Sequence, residues 1–200
     1  VPQIVAVGLV AGLLAGLLMR GRLTAIGEAQ LRLWWLASVA LAVQILLIRV
    51  AGDSSSLPWW MPLAHVASYA LLLLVVWANR RTFGLPLVGI GLLMNTVVIA
   101  ANGGMMPQAP ETSHYRHPDA VAGEYLANSK TVLLPRDQTT LWWLSDTIVI
   151  PSGTHLPLIA SPGDLVLAAG LAATVYGLTR PAGRRSAAIA NPGELKGLPS

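Results

Sequence analysis

Five long apolar stretches, Ile4–Met19, Leu33–Ile48, Met61–Ala78, Leu85–Ala101 and Leu165–Leu178, leave this chain little choice of solvent. Each approaches the roughly 20 residues that cross a bilayer's hydrocarbon as a helix, and neutral flanking residues extend most of them. Charged residues make up 11% of the chain and apolar residues 54%, whereas a soluble domain carries about 25% charged residues. Too little polar surface remains to cover a water-soluble core of this size. None of the runs alternates like a barrel strand, so the expected fold class is all-α membrane, a bundle of five transmembrane helices. The first run has no basic segment before it and no A-x-A site after it, and reads as a retained helix rather than a signal peptide.

Arginine and lysine placement sets the expected orientation. Arg20, Arg22, Arg32, Arg80, Arg81, Arg180, Arg184, Arg185 and Lys196 fall on one side, and Arg49, Arg116, Lys130 and Arg136 on the other. The richer side faces the cytoplasm under the positive-inside rule, which gives an outer N-terminus and an inner C-terminus in a bacterial inner membrane. Trp34, Trp35, Trp59, Trp60 and Trp77 lie near run ends, where indole rings favour the interface. The chain then divides into a membrane domain, 1–180, and a cytoplasmic tail, 181–200. A long extracytoplasmic loop, 102–164, is inserted between helices 4 and 5. Within that loop Thr131–Leu134, Leu141–Leu144 and Thr147–Ile150 read as short strands or interfacial segments over the bundle's outer mouth, with Trp142 and Trp143 at headgroup level. The connection Gly21–Arg32 reads as an amphipathic turn on the inner surface.

The same charge pattern disposes of nucleic acid as a partner. A pI near 10.0 and a net charge of +4 come from basic residues scattered at the ends of apolar runs, not clustered on one soluble face. With no cysteine, disulfides, thiolate metal sites, iron–sulfur clusters and c-type haem are excluded.

Polar residues inside apolar runs mark the candidate sites, because hydrocarbon supplies no hydrogen bonds. His65, Ser68 and Tyr69 share one face of the third helix, Gln44 sits within the second, and Asn95 with Thr96 within the fourth. They fit interhelical hydrogen bonds, or else a cofactor pocket for a headgroup, quinone or pigment; the sequence names no cofactor. Gly8, Gly12 and Gly16 form a G-x-x-x-G-x-x-x-G row for close helix packing, within the chain or against a partner, with Ala169, Ala173 and Gly177 as a possible mate. Glu111, His114, His117 and Asp119 could supply metal ligands, but Arg116 and Pro118 break the geometry, and a solvated loop is the expectation. Asp164, directly before the fifth run, suits a helix cap. No nucleophile elbow, P-loop or H-E-x-x-H occurs, so no catalytic residue is assigned.

One run is more particular. Asn102-Gly103-Gly104-Met105-Met106-Pro107 follows the fourth apolar stretch and resembles the N-G-G-x-M-P element of a bacterial multi-pass membrane-protein family, a domain of unknown function. In that family a G-D-x-x-P-like element follows, then S-x-G-D before the last helix. Leu144–Pro151 corresponds to the former, with Ser145 where glycine is usual and a longer path to proline. Ser161-Pro162-Gly163-Asp164 corresponds to the latter. The resemblance covers most of residues 4–180 and implies no activity. Read physically, the two glycines permit positive φ, Asn102 can cap the fourth helix and Pro107 stiffens the exit. The turn either steers the loop over the bundle or lines an outer-face site with Asp146 and Asp164.

These features point first to a non-enzymatic accessory or scaffold subunit, with the lipid bilayer and other membrane-protein subunits, lipids or pigments as partners. The alternative is a membrane enzyme or transporter acting on a lipid-soluble substrate at the outer face.

Overall fold

A computed structural model describes residues 2–51, 58–113, 119, 121–151 and 157–180. The expected tail, together with His114, His117, Arg116 and Pro118, lies outside the described residues. Five helices of 17 or 18 residues dominate: α1 (Pro2–Leu18), α3 (Trp34–Ala51), α4 (Met61–Ala78), α5 (Leu85–Ala101) and α7 (Pro162–Leu178). A single turn, α2 (Thr24–Gly27), lies in the first connection. Of the five, α3 and α4 are long and apolar enough to cross a membrane; α1, α5 and α7 are apolar but shorter.

The helices begin where the chain chemistry says they should. Proline stands in the first turn of α4, α5 and α7, where its missing N–H removes a donor that had no intrahelical partner. Ser161 and Asp164 close a capping box on α7: the Ser161 hydroxyl accepts from the Asp164 N–H at 3.0 Å, and Asp164 Oδ2 accepts from the Ser161 N–H at 3.2 Å.

In space the order is α3, α4, α5, α7, α1, each packing extensively on the next. The glycine row is used inside the chain. Side chains at Gly8 and Gly12 would overlap the backbone of Ala168 and Ala172 on α7, and one at Gly16 would overlap Thr179. The mating face therefore runs through Ala168 and Ala172, one position off the expected Ala169, Ala173 and Gly177. Gly177 instead lies against Phe83, and Ala173 against Gly84. A second small-residue contact, missed in the sequence, joins α5 to α7: Gly91 abuts Leu167 and Gly163, and Gly170 abuts Val88. Large apolar side chains point outward from the same helices, among them Val10, Leu14, Leu41, Ile45, Leu63, Leu74, Ile90 and Leu93.

The segment between α5 and α7 corrects the all-α expectation. It contains β1 (Met106–Gln108), the turn α6 (Pro110–Ser113), β2 (Thr131–Leu133), β3 (Ile148–Ile150) and β4 (Leu158–Ala160). β1 and β2 pair in parallel with Pro107 opposite Val132, and β3 and β4 pair antiparallel with Val149 opposite Ile159. These strands and two 3-10 turns form a cap whose Met106 and Leu144 join Tyr69, Leu92, Val98 and Ile99 in one apolar cluster. The expected interfacial Trp142 stacks on Arg136, whose guanidinium lies 3.4 Å from the ring centroid.

Gly12→Leu should separate α1 from α7 and cost about 3 kcal/mol, at the upper end for overpacking. Gly27→Ala, with open space around it, should be neutral. Thermal unfolding of the two variants in detergent micelles checks the contrast.

Candidate polar site beneath the cap

Buried polar side chains converge where the cap meets the ends of α4, α5 and α7. His65, Ser68 and Tyr69 lie on the buried face of α4, as their spacing requires. The His65 Nδ1–H donates to the Gly104 carbonyl at 2.8 Å, because a carbonyl can only accept. The other ring nitrogen, Nε2, is buried without a hydrogen-bond partner. Tyr69 meets the His65 ring edge-on, with centroids 5.4 Å apart.

Asn95 joins α5 to the start of α7. Its Nδ2 donates to Asp164 Oδ1 at 2.8 Å, and its Oδ1 accepts from the Ser161 hydroxyl at 3.0 Å. Asp164 therefore serves its own helix cap and the neighbouring helix together. Thr96, by contrast, bonds back to Leu92 on its own helix.

The N-G-G-x-M-P turn builds the opposite half. Gly103 and Gly104 take φ of +75° and +81°, a region that glycine enters without a Cβ clash. Gly104 also packs directly on Pro62, leaving no room for a side chain. Asn102 caps α5 by donating to Val98 O at 2.7 Å and clasps the cap through both backbone groups of Thr140, at 2.8 and 2.9 Å. The turn then feeds β1, which lies between two delivered side chains. On one edge the Met106 N–H bonds to the Lys130 carbonyl at 3.0 Å. On the other, the Asp146 N–H bonds to the Pro107 carbonyl at 3.0 Å.

Lys130 extends from the cap to α3, where its Nζ donates to Gln44 Oε1 at 2.8 Å. Burial lowers its pKa from 10.5 to about 8, against the opposing pull of Asp164 and Asp146. Asp146 is buried with Oδ1 unpartnered. Burial, reinforced by the Asp164 carboxylate and offset in part by Lys130, raises its pKa from 3.8 to about 8. It is therefore largely protonated at neutral pH.

The structure thus gathers His65, Tyr69, Asn95, Asp146 and Asp164 into one neighbourhood and ties Gln44 to it through Lys130. Asn102, Gly103, Gly104 and Pro107 act as its frame. Sequence reasoning missed Lys130 and Ser161 as members. Lys130 reads from the sequence as a topology charge only, although a lysine within the segment between two apolar runs of an arginine-using chain is a usable signal. Among the described residues no group of three or more His, Asp or Glu could hold a metal ion. Arrangements of this kind can bind a small polar group or hold a proton.

Replacing Asn95 with Leu leaves Asp164 and Ser161 without their cross-helix partner and should cost about 2 kcal/mol, the scale of a hydrogen bond to a carboxylate. Thermal unfolding in micelles reads this. The pH dependence of cap closure has a defined sign. Asp146 binds its proton more tightly in the folded cap, so its contribution is whole below about pH 4 and is lost as pH rises to about 8. Amide protection factors in the cap should fall over that range, and Asp146→Asn should flatten the slope.

No curated protein matches the chain, and no solved structure matches it. A family model described as a family of unknown function, DUF5317, matches residues 28–176. That span holds α3 to α5, the cap, nearly all of α7 and every residue of the polar cluster. The chain belongs to the DUF5317 family.

Proposed function

We propose that this protein is a five-span subunit of the bacterial inner membrane, N-terminus out and C-terminus in, with an accessory rather than catalytic role. The observation that carries this reading is the open row of helices. α3 and α1 stand at its two ends, each with one extensive helix neighbour, α4 and α7 respectively. Their remaining faces present large apolar side chains such as Ile45 and Val10, with 49% and 54% exposed. Water does not tolerate that much continuous apolar surface on a monomer; lipid and neighbouring transmembrane helices do. Helices of 17 or 18 residues rise about 26 Å, close to the hydrocarbon thickness. The glycine row no longer argues for a partner, since α7 occupies it.

A second reading, a ligand site at the outer face, is favoured by one specific observation. His65 Nε2, Asp146 Oδ1 and Ser113 Oγ are all buried without partners, and buried polar groups are paired in about nine cases of ten. A small polar molecule or headgroup entering beneath the cap would satisfy the His65 and Asp146 atoms.

Both parts of the leading reading are testable. The chain has no cysteine, so single cysteines report topology cleanly. Ala127→Cys should react with an impermeant maleimide on intact cells, and Glu28→Cys only after permeabilisation; the reverse pattern rejects the orientation. A photo-crosslinking residue at Ile45 or Val10 should capture another membrane polypeptide. Adducts with lipid alone would remove the accessory role.

A further inference from the structure

We infer that the inner end of the bundle carries a binding site for a phosphate-bearing anion, built between the ends of α3, α4 and α5. The inference rests on the reading that this end lies at the cytoplasmic membrane surface. A cleft of about 410 Å³ opens there, lined by Gln30, Arg32, Asn79, Arg80, Arg81 and Thr82. Three arginines line one hollow, and no carboxylate lines it. Among the described residues Glu28 is the single acid in the segments at this end.

The cleft is held in shape by contacts at the end of α4. Asn79 at the end of α4 grips the backbone of Arg32 on both sides: its Oδ1 accepts from the Arg32 N–H at 2.8 Å, and its Nδ2 donates to the Arg32 carbonyl at 2.8 Å. The same Nδ2 donates to Val75 O at 2.7 Å, tying this grip to the last turn of α4. Next to Arg32, Leu31 packs into the main apolar cluster, so the connection cannot drift away from α4. Arg80 is aligned by its own helix: its guanidinium sits 4.7 Å from the Trp77 ring centroid, and Nη1 donates to Trp77 O at 3.1 Å. Trp77 is 66% exposed, as an indole at headgroup depth would be.

Arginine forks match the oxygens of phosphate in a way that a diffuse positive patch does not. Basic pockets between helices on the cytoplasmic side are where anionic lipid headgroups dock. The shared chemistry is a phosphate, supplied by an anionic phospholipid or by free inorganic phosphate.

The test uses the full chain in detergent micelles and in bilayer discs. Phosphatidylglycerol bound per protein is measured by native mass spectrometry over a lipid titration, beside phosphatidylcholine as the neutral comparison. Inorganic phosphate is titrated separately against thermal unfolding. Each of Arg32→Gln, Arg80→Gln and Arg81→Gln should weaken phosphatidylglycerol binding about fivefold, and the triple variant on the order of a hundredfold. Protection by inorganic phosphate that disappears in the triple variant would also support the site and would name the soluble anion as its ligand. Undiminished binding of both probes by the folded triple variant overturns the inference, as does an equal loss on Arg49→Gln at the far end of α3. The topology labels at Ala127 and Glu28 read separately, so failure of the site and failure of the orientation are distinguishable.

Discussion

The hydrogen bond from Asn95 to Asp164 is the constraint around which this fold is arranged. A carboxylate and an amide are placed where apolar side chains surround them, so each must find partners within the protein. They find one another and the hydroxyl and backbone N–H of Ser161. The bond sets the height of α7 against α5, and that height brings Gly91 to Gly163 and Gly170 to Val88. Once α7 is set, α1 packs along it, with Gly8 and Gly12 against Ala168 and Ala172.

The cap depends on the same bond from the other side. The chain enters the cap from α5 and returns into α7, so the spacing between those two helices fixes both ends of a segment of roughly sixty residues. The short strands inside it could not stand alone, since isolated two-stranded pairs are marginal in water. They are stable here because Met106 and Leu144 reach down into the helix cluster and Asn102 clasps Thr140. The cap is thus an extension of the helical core.

What could be read from the sequence follows from which signals are local. Met61–Ala78 and Leu85–Ala101 were legible to the residue, because an apolar run that must avoid water announces itself by composition. The last helix starts at Pro162 rather than Leu165, since the capping box recruits polar residues that hydropathy alone assigns to the loop. Gly103 and Gly104 were legible as positive-φ positions, and Asp164 as a cap. The pairing of β1 with β2 was not, because three residues carry no period and their partners lie more than twenty positions away. The face of α7 that receives α1 missed by one residue for a related reason: several small residues share the helix, and only the packed structure selects among them. Lys130 was hidden because its role comes from where β2 deposits it and not from its neighbours in the chain.

The polar cluster itself divides into two halves with different chemistry. Around Asn95, Ser161 and Asp164 the side-chain bonds interlock, and that half acts as a scaffold. Around His65 and Asp146 the backbone contacts are made, to Gly104 and Pro107, while one polar atom on each side chain is left bare. A buried unpaired polar atom costs about 1–3 kcal/mol, so two of them, one delivered by α4 and one by the cap, are a standing cost to the fold. Beside them burial lowers the Lys130 pKa to about 8, and this half carries its titratable groups without the interlocking bonds of the scaffold half.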